Sequence, residues 1–340
     1  MTTMPPLVVD VHNHVLTPEA QQIAATWYEP RLEPYDLFAG AASARHNGEL
    51  FGDLVEPMTD PGRRLRDMDS VGIDMQLLSI FVSQYYYWLD GQKGLETSRL
   101  QNQHLADLVA DHPSRFVAAG TVPLQDTRLA VEELERVSQE LGFRAVQIST
   151  NVNGDDLDHP RFEPFLAAAA DLGVLVILHP NGFSEGRRLA SHYLINVVGN
   201  PLDSTIAVTR LIFGGVFDRL PTLQVCVVHG GGYAPFYWPR MDHAYQVRPE
   251  CRQAVSNRPS TYLRTNFYFD TVVFEPALIR RLLDDFGADR VLLGTDYPFD
   301  MGESAPVDLV TKVPGITEDE RSAILGGTAT RLLALDWPGD

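Results

Sequence analysis

Eight short runs rich in β-branched and aromatic residues recur along the chain, at 7–12, 75–80, 116–120, 145–149, 174–178, 225–228, 265–270 and 291–293. Their number and spacing constrain the fold more than any other feature of the sequence. Longer segments with helical periodicity lie between them. At 129–141, Leu129, Val131, Leu134, Val137 and Leu141 recur at helical intervals, and 161–172 carries a run of alanines. Parallel neighbours need a crossover, so strand followed by helix, repeated, implies parallel pairing. Eight such units match a closed (β/α)8 TIM barrel. An open doubly wound sheet would place a Gly-rich turn after its first strand, whereas the turn here reads Val11-His12-Asn13-His14.

The chain has 340 residues, a length that barrels with insertions commonly occupy as one unit. No repeat, low-complexity tract or flexible linker divides it, so residues 1–340 read as one barrel domain. The first and second strands are separated by about sixty residues. The part at 17–58 is rich in Pro, Gly, Ala and aromatics and reads as an insertion. A connection that leaves a strand's C-terminal end covers the barrel mouth, which makes a lid one reading and a packing extension or dimer contact the other.

Composition removes several functions. The formal net charge is −18, and no run of Lys or Arg stands out, which argues against nucleic acid as a partner. The apolar runs fall far short of the roughly 20 residues that cross a bilayer, and the N-terminus lacks a basic segment followed by an apolar one. Two cysteines, Cys226 and Cys251, make neither a disulfide framework nor a thiolate metal site, and a reducing cytoplasm is expected. The acidic field also opposes anionic substrates, so an enzyme acting on carboxylates needs a local cation.

Polar residues gather at the predicted strand ends. His12 and His14 are two apart on extended chain and share one side with Asp10. Ten histidines in 340 residues give a chance His-x-His about 0.3 times, so position matters more than the motif. His179 follows one apolar run, His229 follows the next, and Asp296 follows the last. A barrel brings those ends into one ring, and neutral imidazoles with a carboxylate suit a zinc-type ion. Each residue taken alone could be a hydrogen-bonded histidine or a capping aspartate, but one cation satisfies several such groups together.

The segments Val9-Asp10-Val11-His12-Asn13-His14, Leu178-His179-Pro180, Val228-His229-Gly230-Gly231-Gly232 and Leu293-Gly294-Thr295-Asp296-Tyr297-Pro298 resemble the metal-dependent amidohydrolase-related family. The likeness continues through Asp60-Pro61, Arg66-Asp67-Met68-Asp69, Leu141-Gly142-Phe143, Phe213-Gly214-Gly215-Val216-Phe217 and Phe267-Tyr268, and so spans nearly the whole chain. The resemblance implies that His12, His14, His179 and Asp296 bind zinc, with manganese or cobalt as alternatives. It also implies that His229, with Asp296, is the catalytic acid/base group acting on metal-bound water or substrate, and that Asp270 holds a histidine tautomer from outside the ligand set.

Arg248 matches a family arginine that binds substrate carboxylate from the neighbouring subunit, which implies a homodimer with shared sites. A second substrate-binding arginine of family members corresponds without gaps to Val55, which disfavours a second carboxylate there. Tyr85, Tyr86, Tyr87 and Trp88 follow the second strand. Tyr85 and Trp88 are candidates for an aromatic wall beside a planar substrate, with core or lid packing as the alternative. The resemblance implies a carboxy-lyase: a non-oxidative decarboxylase of an aromatic or ring-cleavage-derived, muconate-type small-molecule acid. A hydrolase or hydratase of a related lactone, amide or unsaturated acid is the alternative, since the fold permits either.

Overall fold

The computed structural model describes residues 7–27, 34–183 and 185–335. Eight parallel strands follow one another around the sheet: β1 (Val9–Asp10), β2 (Met75–Ile80), β3 (Phe116–Gly120), β4 (Ala145–Ile148), β5 (Leu175–Leu178), β6 (Val225–Val227), β7 (Phe267–Asp270) and β8 (Val291–Leu292). Each pairs with its sequence neighbour, from Val9 opposite Met75 to Phe269 opposite Val291. Beyond β8 the wall closes onto the first strand. The Val11 N–H donates to Leu293 O at 2.9 Å, and Asn13 bridges Tyr297 in parallel. Helices fill the crossovers, as the (β/α)8 expectation requires.

Alternation along the strands divides the apolar residues into two cores. Val9, Leu77, Ala119, Ile177, Cys226, Tyr268 and Leu292 fill the barrel, and Leu7, Ala329 and Leu333 close its floor. Leu78, Ala118, Val146, Val176, Val227 and Phe269 face outward and pack against helices. The helix Thr127–Gln139 illustrates the outer layer. Asp126 caps it by accepting from Leu129 N–H at 3.1 Å, and Leu129, Leu134 and Val137 are buried on one stripe. Each such side chain stabilises the fold by about 1.5–3 kcal/mol. No helix among the described residues is long and apolar enough to cross a membrane.

Two strand expectations are corrected. The first strand does not run unbroken from 7 to 12: it pauses after Asp10 and resumes as a short segment, His14–Val15, which pairs with β2. The seventh starts at Phe267, because Thr265 ends the helix Pro259–Thr265, whose first residue is a proline suited to that position. A two-stranded hairpin, Asn151–Val152 with Asp155–Asp156, lies outside the barrel sheet.

The segment at 17–58, read from the sequence as an insertion, is helical where described: α1 (Pro18–Ala25), α2 (Pro34–Phe38) and α3 (Gly40–Thr59). Residues 28–33 within it lie outside the described part. α4 (Pro61–Val71) follows, started by Asp60 accepting from Gly62 N–H at 2.9 Å and ended at Gly72, whose φ of 76° suits glycine. This helix carries the buried Arg64 to the back of the first strand.

Candidate metal centre

His12 and His14 leave β1, His179 follows β5, and Asp296 lies four residues beyond β8. All four are buried at the C-terminal end of the barrel, with one candidate ligand atom from each lying within 4.8 Å of the others. The outer nitrogen of each imidazole is anchored. His12 Nδ1 meets Asp270 Oδ2 at 2.6 Å, His179 Nδ1 meets Pro180 O at 2.7 Å, and His14 Nδ1 lies 3.5 Å from Ile80 O. The Nε2 atoms are thereby turned inward, the orientation that a metal-bound histidine takes when its other nitrogen is held.

The inward atoms fit a cation. His12 Nε2 and His179 Nε2 are buried with no hydrogen-bond partner, a costly state for two nitrogens in a protein interior. His14 Nε2 and Asp296 Oδ1 are 2.9 Å apart, and His12 Nε2 lies 3.3 Å from the same oxygen. Three imidazoles and one carboxylate form a donor set for a divalent first-row ion. Burial pushes the His14 imidazole down and the His179 imidazole well down, which favours the neutral form that binds metal. Burial also acts downward on His12, but the Asp296 and Asp270 carboxylates draw it up to about 10. Burial acts upward on Asp296, yet His12, His14 and His229 together outweigh it and hold the carboxyl well below its usual range.

A supporting layer sets these orientations. Besides His12, Asp270 accepts from the N–H groups of Gly230 (2.7 Å) and Val272 (3.1 Å) through Oδ1. Asp10 does not join His12 and His14 at the mouth, because the pause in the first strand breaks the two-residue alternation. Its carboxylate accepts from Gln76 Nε2 and from Thr295 Oγ1 and N–H, and burial pushes it up to about 6. Arg64 donates to Asn13 Oδ1, Gln76 Oε1 and the His14 carbonyl, and so fastens the histidine segment from behind.

His229 stands beside the four ligand candidates, its Nε2 3.5 Å from Asp296 Oδ2. Its φ is +54°, and Gly230, Gly231 and Gly232 follow with φ of 60°, 79° and 64°. A Cβ on Gly230 would lie 2.2 Å from Val273 Cγ1, and one on Gly232 would lie 2.4 Å from Pro201 O. Glycine is required at both, and this turn aims His229 at the centre.

The centre opens into a cavity of about 510 Å³, a size suited to a small organic molecule. His14, His179, His229 and Asp296 line its base, and Gln21, Asn47, Leu50, Phe51 and Leu54 of the insertion line its cover. An aromatic wall joins Phe51, Phe81 and Phe299: the Phe51–Phe81 and Phe81–Phe299 ring centroids are 6.2 and 5.4 Å apart, and Phe299 lies edge-on to His14 at 5.1 Å. Sequence reasoning missed this wall, although Phe81 directly follows β2 and Asn47, Leu50, Phe51 and Leu54 form a helical stripe.

Other sequence candidates lie elsewhere. Tyr85 is buried behind the wall, stacked on Tyr87 at 5.3 Å with its hydroxyl donating to His179 O at 3.4 Å. Trp88 packs against Tyr86, and of the quartet only Tyr86 lines the cavity. Val55 is not on the cavity wall. Arg248 is also absent from that wall: it is exposed beyond the helix Ala234–Val247 and paired with Glu250.

A (β/α)8 barrel with three histidines, an aspartate and a further histidine around one point at its mouth defines a barrel built to hold a divalent cation against a small molecule. The chain belongs to the amidohydrolase family, whose sequence profile matches residues 9–335. It is 33% identical to the 2-amino-3-carboxymuconate-6-semialdehyde decarboxylase of Dictyostelium discoideum, over 97% of this chain and 92% of that protein. Among solved structures, the 5-carboxyvanillate decarboxylase of Sphingomonas paucimobilis superposes with a TM-score of 0.85 at 26% identity, covering 97% of this chain and 99% of that one. The dihydroxybenzoic acid decarboxylase of Polaromonas sp. JS666, solved with manganese and the inhibitor 2-nitroresorcinol, superposes with a TM-score of 0.82 at 25% identity, with 97% of each chain covered.

Proposed function

We propose that this protein is a metal-dependent, non-oxidative decarboxylase of an aromatic or ring-cleavage-derived carboxylic acid. One observation carries the reading: the three-histidine, one-aspartate centre and His229 share a cavity with an aromatic wall, in a chain whose relatives include decarboxylases of such acids. When bound, zinc or manganese would supply Lewis-acid attraction for a carboxylate and offset negative charge as the reaction proceeds.

The chain's own residues supply the rest. Phe81 and Phe299 offer a planar substrate an apolar aromatic wall that excludes water, and the insertion serves as a lid over it. When carbon dioxide leaves, the electron pair of the broken carbon–carbon bond stays on the substrate, and that carbon must take a proton. His229 Nε2 and Asp296 Oδ2, 3.5 Å apart, are the groups that hold and move it. Asp270 keeps the His12 tautomer fixed meanwhile. Arg248, exposed on the outer surface, serves the neighbouring copy's site in a homodimer.

Purified protein is incubated with aromatic and muconate-type acids, with chelator and then with zinc or manganese restored. The expected result is carbon dioxide release that chelator abolishes and metal restores, and that His229→Ala lowers by about 100-fold or more with the metal still bound. A product with water added and all carbons retained, from every acid that reacts, would overturn the reading in favour of a hydratase or hydrolase.

A further inference from the structure

A second polar group lines the same cavity. Tyr35, from α2, and Tyr193, Asn196 and Asn200, from the segment after β5, stand on its wall with Asp300. The group is ordered from behind. Gly182 N–H donates to Asn200 Oδ1 at 3.0 Å, turning the Asn200 amide so that it donates to the Tyr35 hydroxyl oxygen at 3.2 Å. Asn196 Nδ2 donates to the same oxygen at 3.1 Å. Tyr35 and Tyr193 are hydrogen-bonded to one another. Two phenols share that one bond, so the pair keeps one proton to offer the cavity.

The group is also uncharged. Burial pushes the Tyr35 phenol up to about 12 and raises Tyr193 as well. His192 and Tyr193 hold φ of 56° and 57°, a left-handed pair that costs about 1 kcal/mol or more per non-glycine residue. Such a conformation persists where surrounding contacts over-determine it, and here it delivers Tyr193 to the wall. Among the described residues, no Lys or Arg lines the cavity, and the charged neighbours of Tyr193 are Asp296 and Asp300. Among the described residues, the exposed His46, at 4.0 Å, is the basic side chain paired with Asp300.

We propose that Tyr193, backed by Tyr35, Asn196 and Asn200, is a subsite for an uncharged oxygen on the substrate, a hydroxyl or a ring carbonyl, and that Asp300 beside it excludes a second carboxylate. Resting on the reading of the substrate as an aromatic acid, the inference names its class: one carboxylate, directed to the metal centre, and at least one neutral oxygen substituent. A hydroxyl accepts from the tyrosine pair and keeps a proton for Asp300. A carboxylate satisfies the donor but meets Asp300 with no Lys or Arg among the described residues of the wall.

Binding is the test, read without turnover. The full chain loaded with manganese is titrated calorimetrically with benzoate, with 3- and 4-hydroxybenzoate, whose hydroxyls cannot chelate together with the carboxylate, and with isophthalate and terephthalate. At least one hydroxybenzoate is expected to bind about tenfold or more tightly than benzoate and than the matching dicarboxylate. Tyr193→Phe should remove that advantage while leaving benzoate affinity unchanged, Asn196→Leu should reduce it, and Asp300→Asn should improve dicarboxylate binding about tenfold. Equal affinity for benzoate and both hydroxybenzoates, equal loss for all acids in Tyr193→Phe, or dicarboxylates bound as tightly as hydroxybenzoates would overturn the proposal. Preference for the hydroxyl without carbon dioxide release would sink the decarboxylase reading and leave this subsite standing. Release without the preference would do the reverse.

Discussion

At the scale of single residues, the centre is held by groups that touch no substrate. Asp270 fixes His12 through a 2.6 Å bond. Asp270→Asn is expected to lower metal affinity by about 10–100-fold, measured by competition with a chelating dye, while metal still binds at high concentration. Arg64→Met would strand Asn13 Oδ1, Gln76 Oε1 and the His14 carbonyl. With about 1–3 kcal/mol for each buried group left unpaired, denaturant unfolding should show a loss of about 3 kcal/mol or more. Away from the centre, burial pushes Asp203 up to about 6, against the hydrogen bonds it accepts from Thr150 Oγ1 and Asn151 Nδ2. Its folded pKa is raised, so the folded state holds a proton that the unfolded chain has already released. Its contribution to stability therefore falls as pH rises from about 4 to about 6 and is flat above, by about 3 kcal/mol for a shift of that size. Asp203→Asn keeps an acceptor for both donors and should remove that contribution from the pH dependence of unfolding; identical pH dependence in the two proteins would show the opposite. His12, His14, His179, His229 and Asp296 were legible in the sequence because each closely follows an apolar run. The orientation of Asp10 was not, because a two-residue alternation assumes an unbroken strand, and this one pauses.

At the scale of elements, caps and turns decide where functional side chains sit. Asp60 starts the helix that carries Arg64, and Asp60→Ala should lower the unfolding free energy by about 1 kcal/mol. Gly232→Ala places a Cβ 2.4 Å from Pro201 O at a φ of 64°. It should cost about 1–3 kcal/mol and reduce turnover more than substrate affinity, because the turn that aims His229 must shift. The helical core elements were readable from periodicity. α3 was not, because it buries only Ser43, Pro57 and Met58 fully, while its apolar stripe of Leu50, Phe51 and Leu54 faces a cavity. A helix that covers a ligand space satisfies its apolar face only in the folded molecule, so its composition resembles that of a loop.

At the scale of the whole molecule, metal binding and folding are coupled, since the donors come from the two ends of the barrel sheet and its middle. Saturation at about 1,000 times the dissociation constant should stabilise the protein by about 4 kcal/mol, seen as a rise in melting temperature that chelator reverses. If Arg248 completes a neighbour's site, mixing inactive Arg248→Ala and His229→Ala chains should restore activity, because one site of the mixed dimer then holds both intact residues. No recovery after subunit exchange would assign Arg248 to the surface pair with Glu250. Sequence alone determined the eight parallel units and the polar residues at their ends, because strand period and helical period are local properties and a barrel gathers strand ends by topology. Tertiary structure alone decided the cavity's cover, its Phe51–Phe81–Phe299 wall and the Tyr35–Tyr193 pair. These contacts join segments up to about 220 residues apart through loops and insertions, where no period links a residue to its neighbour in space.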